Sequence, residues 1–203
     1  MSNVGHSKVT RLYESGETGG KREAILNAAL ELFTERGFHV TAMPLVAERA
    51  GVGAGTIYRY FASKEALVNV LYQHWNEFQL VTITSEVPCD ISLRDQFHIY
   101  WQRLVDFAKH YPTAFAFLEL HYHAPYLDDT SRAIEERGHH ALVGFFAECL
   151  RQHMAREASA EMLASIVWGA YVGLVRASRN GRFEMTPEVI AQSETSCWDA
   201  IRR

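Results

Sequence analysis

The stretch from Thr41 to Leu67, TAMPLVAERAGVGAGTIYRYFASKEAL, sets a short helix, a glycine turn, a second short helix and the start of a third end to end with no spare residues. Pro44 suits a first helical turn, where its missing N–H would have no partner anyway. Leu45, Val46, Ala47 and Ala50 then put apolar atoms on one side, and Gly51 closes that helix. After Gly51-Val52-Gly53 the pattern predicts a helix over Ala54–Phe61 with Ile57 and Phe61 four apart on one face. Helices this short are marginal alone, so neighbours must hold them. Small residues at Ala47 and Gly51 let the two cross closely, and a pair held this way can present its second helix to a major groove. The brace is a predicted helix from Lys21 to Arg36, whose Ala24, Ile25, Ala28, Ala29, Leu32 and Phe33 form one apolar stripe ending at Gly37.

The block resembles the tetracycline-repressor (TetR) family of bacterial transcription regulators, whose signature reads approximately A-x-x-A-G-V-S-x-G-T-x-Y-x-x-F-x-S-K-E-x-L. Ala47, Ala50, Gly51, Val52, Gly55, Thr56, Tyr58, Phe61, Ser63, Lys64, Glu65 and Leu67 match it in order. Gly53 departs from it, standing where the family usually has Ser at the cap of the recognition helix. The resemblance implies an all-α chain of about nine helices, with a three-helix DNA-binding head and a C-terminal helical domain for ligand binding and dimerisation. It divides the chain into an arm over 1–20, a helix-turn-helix domain over 21–66 and a second domain over 67–203.

The resemblance also assigns DNA contacts. Thr56, Tyr58, Tyr60 and Lys64 are expected at phosphates, where hydroxyls and an ammonium position a protein without specifying sequence. Thr41 and Met43 are expected near the backbone or a base edge, and Ala54 and Gly55 at the front of the recognition helix. Ala54 offers a methyl to thymine but no hydrogen bond, so Arg59 is the one long guanidinium on the helix, able to read guanine or to pair with phosphate. Base reading is sparse, which shifts operator choice toward DNA shape and half-site spacing. One short helix covers few base pairs, so two copies on a palindrome are expected.

Charge distribution fits this division. Residues 1–64 carry eight Lys/Arg against six Glu, about +2, whereas residues 65–203 carry twelve against eighteen, about −6. Cys89, Cys149 and Cys197 are odd in number and widely spaced, which suits a reducing cytoplasm better than a disulfide framework. No apolar run approaches the ~20 residues of a membrane span, and the first twenty residues lack the apolar stretch of a signal peptide. The arm itself carries Lys8 and Arg11 among glycines and hydroxyl residues.

Beyond the head, Ser63 is expected to cap a long helix to about Thr84. Further helices are predicted over Leu93 to about His110, Thr113–His123, about Asp129–Ala155, Ser159–Arg179 and from Thr186-Pro187 to the C-terminus. Asn180-Gly181 supplies the stop before the last of these. Gly169 and Gly173, four apart in IVWGAYVGLVRA, permit close helix approach, either within the chain or at a homodimer seam, and the resemblance favours the seam.

This second part is rich in aromatics, and the resemblance implies a small-molecule pocket among its helices. An aromatic lining with few charges suits an apolar or aromatic effector. The candidates are Trp101, Leu104, Phe117, His121, Tyr122 and Trp168. Glu119, His123 and Asp128 form a weaker metal-binding pattern, since His121 and His123 point about 200° apart on a helix. No metal, cofactor or membrane partner is expected. Two other classes compete: an architectural or cell-division DNA-binding protein whose activity no small ligand sets, and a helical enzyme using the histidines. Neither a nucleophile, base and orienter at workable spacing nor a phosphate loop supports the enzyme.

Overall fold

The computed structural model describes residues 20–203, so the arm with Lys8 and Arg11 lies outside the described residues. Nine helices run through them: α1 Lys21–Arg36, α2 Met43–Arg49, α3 Ala54–Tyr60, α4 Lys64–Thr84, α5 Leu93–His110, α6 Pro112–His121, α7 Asp129–Arg151, α8 Ala160–Arg179 and α9 Pro187–Ile201. Among the described residues the only extended pairing is an isolated antiparallel bridge, Ala155 with Arg202.

The helix ends follow local chemistry. α2 stops at Gly51, whose φ of +65° is left-handed; its N–H donates to Glu48 O and the Val52 N–H to Ala47 O, at 3.0 and 2.9 Å. Gly181, at φ +70°, ends α8 in the same way. Ser63, Ser92, Ser159 and Thr186 each accept a backbone N–H three residues on. Two expected ends fall short. α6 stops at His121 rather than His123, because His123 adopts φ +56° and the residue ahead of Pro125 is biased away from helix. α7 stops at Arg151 rather than Ala155, because His153 takes φ +56° and the Met154 N–H turns back to Cys149 O at 2.9 Å.

The chain forms two compact units. The first takes in the described residues up to Phe78 together with Pro112–Ile134. Its core joins Ile25, Leu32 and Phe33 of α1, Val46 and Ala47 of α2, Ile57 of α3, Leu67, Val68 and Leu71 of α4, and Phe117 of α6, all essentially buried. Burial of a side chain such as Ile57 contributes about 1.5–3 kcal/mol, which is how a seven-residue helix is held. Arg49 pairs with Glu31 at 2.9 Å across α2 and α1, but both are exposed and such pairs add little.

The second unit contains Gln79–Tyr111 and Glu135–Arg203. Here Phe97, Trp101, Leu104, Phe146, Leu163, Val167, Tyr171 and Trp198 are buried. Its polar centre is Glu194 on α9, whose side chain is 4% exposed and is held by three α5 groups: Arg94 Nη1 at 2.6 Å, His98 Nδ1 at 2.7 Å and Gln102 Nε2 at 3.3 Å. Arg103 of α5 donates to the carbonyls of Ile83 and Ser85 at the end of α4. α8 is the helix that comes nearest to membrane-span length, although Glu161 and Arg176 bound its uncharged run. By length and composition it is the one helix among the described residues that could cross a membrane, although it buries Leu163, Ala164, Val167, Tyr171 and Val175 as a core stripe.

Candidate nucleic-acid interface and ligand-facing clusters

α3 divides cleanly. Ile57 within it and Phe61 at its C-cap face the core, while Ala54, Gly55, Tyr58, Arg59 and Tyr60 are exposed and Thr56 is half-buried. An exposed tyrosine pair is unusual for so small a surface; Tyr58 and Tyr60 are 52% and 44% exposed, so neither is a core residue. No side chain caps α3. Gly53 has the extended backbone of an N-cap, and a Cβ there would meet only Thr56 Oγ1 at 3.6 Å. A Cβ at Gly55 would meet nothing within 4 Å. Beside this face the guanidinium of exposed Arg22 lies 5.6 Å from the centre of the Phe61 ring, a cation that the sequence pattern did not single out.

Three expected contact residues are otherwise engaged. Thr41 is fully buried and its hydroxyl donates to Gly37 O at 2.8 Å and Leu32 O at 3.3 Å, closing the turn after α1. Met43 is 6% exposed and packs in the core. Both side chains are thus engaged within the protomer: a hydroxyl beside a helix C-terminus satisfies carbonyls that would otherwise be orphaned. Lys64 is half-buried; its Nζ donates to Phe38 O at 2.7 Å and His39 O at 3.3 Å and sits 4.3 Å from the Phe38 ring centre.

The ligand candidates fall into two clusters, one in each unit. In the second unit the Tyr171 hydroxyl donates to Leu104 O at 2.9 Å, and its ring lies 6.4 Å from Trp101 and 5.4 Å from Trp168. Trp101 is buried and its indole N–H has no partner, whereas Trp168 is half-buried. In the first unit the Phe117 and His121 rings lie 4.4 Å apart, and His121 Nδ1 is 2.7 Å from the Tyr126 hydroxyl. Burial alone pushes the His121 imidazole down to about 4, with no charged neighbour contributing. The structure does not bring Tyr122 into this cluster: it lies beyond the end of α6, 53% exposed, against His123. Among the described residues no three His, Cys, Asp or Glu side chains gather as a metal site, so Glu119, His123 and Asp128 do not form one.

Comparisons with known proteins agree at the level of both halves. Residues 25–71 match the model of bacterial regulatory proteins of the tetR family, and residues 64–203 match the tetracyclin repressor-like C-terminal domain. The chain belongs to the TetR family. It is thus a helix-turn-helix transcriptional regulator of the DNA-binding type. Among curated relatives, the HTH-type transcriptional regulator UidR of Escherichia coli K12 is 44% identical over 50 residues, 25% of this chain and 26% of UidR. The alignments with UidR and the next curated regulators span only about a quarter to a third of those proteins. Two solved TetR-family structures are similar over most of the chain. One from Marinobacter aquaeolei VT8 has a TM-score of 0.79 at 22% identity, covering 90% of this chain and 95% of that one; one from Vibrio parahaemolyticus has 0.72 at 26%, covering 90% and 99%.

In this TetR-family chain, Gly169 and Gly173 are exposed on α8, and a Cβ on either would meet nothing within 4 Å, so neither glycine is required by packing inside the protomer. Met162 and Ile166, 49% and 44% exposed, precede them at helical spacing on the same side. Several structurally central residues escaped the sequence reading: Asn69, Tyr126 and Glu194. Glu194 left one usable signal, since Arg94, His98 and Gln102 recur every four residues on α5 and need an acceptor.

Proposed function

We propose that this regulator is a repressor that binds a palindromic operator as a homodimer and is released by a small apolar or aromatic ligand. The observation that carries the reading is the exposed polar face of α3, Gly55, Tyr58, Arg59 and Tyr60, standing over a core anchored by Ile57 and Phe61. Tyr58, Tyr60 and Thr56 would hold phosphates, Ala54 and Gly55 would admit the DNA backbone closely, and Arg59 would supply the one long base-reading or phosphate-pairing group. Lys64 contributes by fixing the Phe38–His39 turn beside α3.

In this reading residues 21–66 read DNA, and residues 67–203 bind ligand and dimerise. The exposed row Met162, Ile166, Gly169 and Gly173 on α8 supports a close seam with a second copy. The Trp101–Leu104–Trp168 and Phe117–His121 clusters are the places for an effector. Acting on chromosomal DNA sets the protein in the cytoplasm. A hundredfold loss of operator affinity on ligand binding needs about 2.7 kcal/mol of preference for the DNA-free conformation. Fluorescence anisotropy with a matched and a scrambled operator tests the DNA face. Arg59→Ala is expected to weaken the matched site more than the scrambled one, and equal losses would reject base reading by Arg59. Unchanged operator affinity at saturating effector would reject ligand release.

A further inference from the structure

Phe61 ends α3 with its ring in the core, and the guanidinium of Arg22 lies over that ring, 5.6 Å from its centre. Arg22 is the second residue of α1, so its charge stands at the positive end of the helix dipole, where a cation is unfavourable. It also acts on the half-buried imidazole of His74 on α4, whose protonation its charge opposes. Among the described residues neither a carboxylate nor a carbonyl takes its N–H groups. Folding electrostatics therefore gives no reason for a cation at this position, and the ring holds the guanidinium in place without neutralising it.

Most other cations of the head are engaged or distant. Arg49 pairs with Glu31, and Lys64 donates to the carbonyls of Phe38 and His39. Arg36 sits at the opposite end of α1, about 20 Å along the helix. Arg59 lies on the exposed face of α3, and Arg22 stands at the C-terminal end of the same helix with Lys21 beside it in the chain. A seven-residue helix is about 10 Å long and a major groove about 12 Å wide, so phosphates flank both ends of α3 once it occupies the groove. Gly55 and Thr56 stand at one end, Tyr60 and Arg22 at the other.

We propose that Arg22 is a phosphate-binding residue of the DNA interface, seated on Phe61 and pairing through its N–H groups with a backbone phosphate at the C-terminal end of α3. The inference rests on the reading of α3 as the DNA-facing helix and supplies the cation for its second end. A guanidinium carries five donors in one plane and can give two of them to a single phosphate. Phe61 is both the C-cap of α3 and part of the core, so a guanidinium seated on it keeps its place relative to α3. The contact therefore fixes how the helix sits in the groove while carrying no sequence preference of its own.

Anisotropy titrations over a salt series test this with the wild type, Arg22→Gln, Arg22→Lys and Lys21→Gln, each on a matched operator and on a scrambled duplex. Arg22→Gln is expected to weaken both complexes about fivefold or more and to flatten the plot of log affinity against log salt by about 0.9 per protomer. Arg22→Lys should restore the slope. Lys21→Gln removes the same charge one position away, without a ring to seat it, and should change the slope by less than half as much. A destabilised head would lose affinity with its slope unchanged, so the slope separates a phosphate contact from a structural role. An unchanged slope in Arg22→Gln, a loss confined to the matched operator, or an equal change in Lys21→Gln overturns the proposal. If the wild type binds the operator normally, those outcomes leave the reading of α3 standing; a wild type that binds neither duplex refutes both.

Discussion

Gly55 is where folding and DNA binding should respond in opposite directions. It occupies the second position of α3, is exposed, and a Cβ there meets nothing within 4 Å. Within the protomer, alanine at this position therefore introduces no clash and removes the backbone entropy of glycine, stabilising the fold by about 0.5–1 kcal/mol. If α3 lies with this end against a phosphodiester backbone, the added methyl instead holds the two apart. Displacing one or two charge-assisted phosphate hydrogen bonds, each worth about 1.5–3 kcal/mol, lowers operator affinity at least tenfold. The assay is paired: thermal unfolding for the first effect and anisotropy at fixed salt for the second, since phosphate contacts make affinity salt-dependent. Gly55→Ala is expected to raise Tm by a few degrees and to weaken the operator complex tenfold or more. A raised Tm with unchanged operator affinity would refute the assignment of this end of α3 to DNA.

Three further outcomes follow from particular contacts. Gly53→Ser adds an N-cap acceptor where the Cβ finds ordinary clearance, so chemical denaturation should show a gain of a few tenths of a kcal/mol. His121 is lowered to about 4 in the folded state against about 6.5 unfolded, so the unfolded chain takes up the proton first as pH falls. Its contribution is fully present above about pH 6.5 and is lost toward pH 4, about 3 kcal/mol in all. Half-buried His74 shifts the same way, so the quantity to compare is the pH slope of wild type against His121→Phe, which should be shallower in the variant. Arg94→Met leaves the buried Glu194 carboxylate with His98 and Gln102 alone, and denaturation should show a loss of about 2 kcal/mol that Glu194→Gln in the same chain partly restores.

The helix count and the head were legible because their signals are local. Gly51 and Asn180-Gly181 end their helices where glycine chemistry says they should, and Ser159 and Thr186 cap as serine and threonine do. His123 and His153 were not legible as helix ends, because a non-glycine residue at positive φ is selected by surrounding packing and by Pro125 in the first case. Thr41 looked like a polar contact ahead of a DNA-facing helix, but its hydroxyl is consumed by carbonyls of α1 and the following turn, a tertiary fact without a sequence period. The same limit hid Tyr126 and Glu194. Their partners lie at His121, Asn69 and Phe38 in one case and Arg94 and His98 in the other, and the last two are about a hundred residues from Glu194.

The central claim is that two copies of this chain read a palindrome through α3. Selection of bound sequences from a random duplex library, followed by mass determination of the selected complex, measures it directly. An inverted repeat bound by an even number of protomers is expected, with both lost in a chain carrying Tyr58→Ala and Tyr60→Ala together. Enrichment of a single unrepeated site, or of no sequence at all, would contradict it.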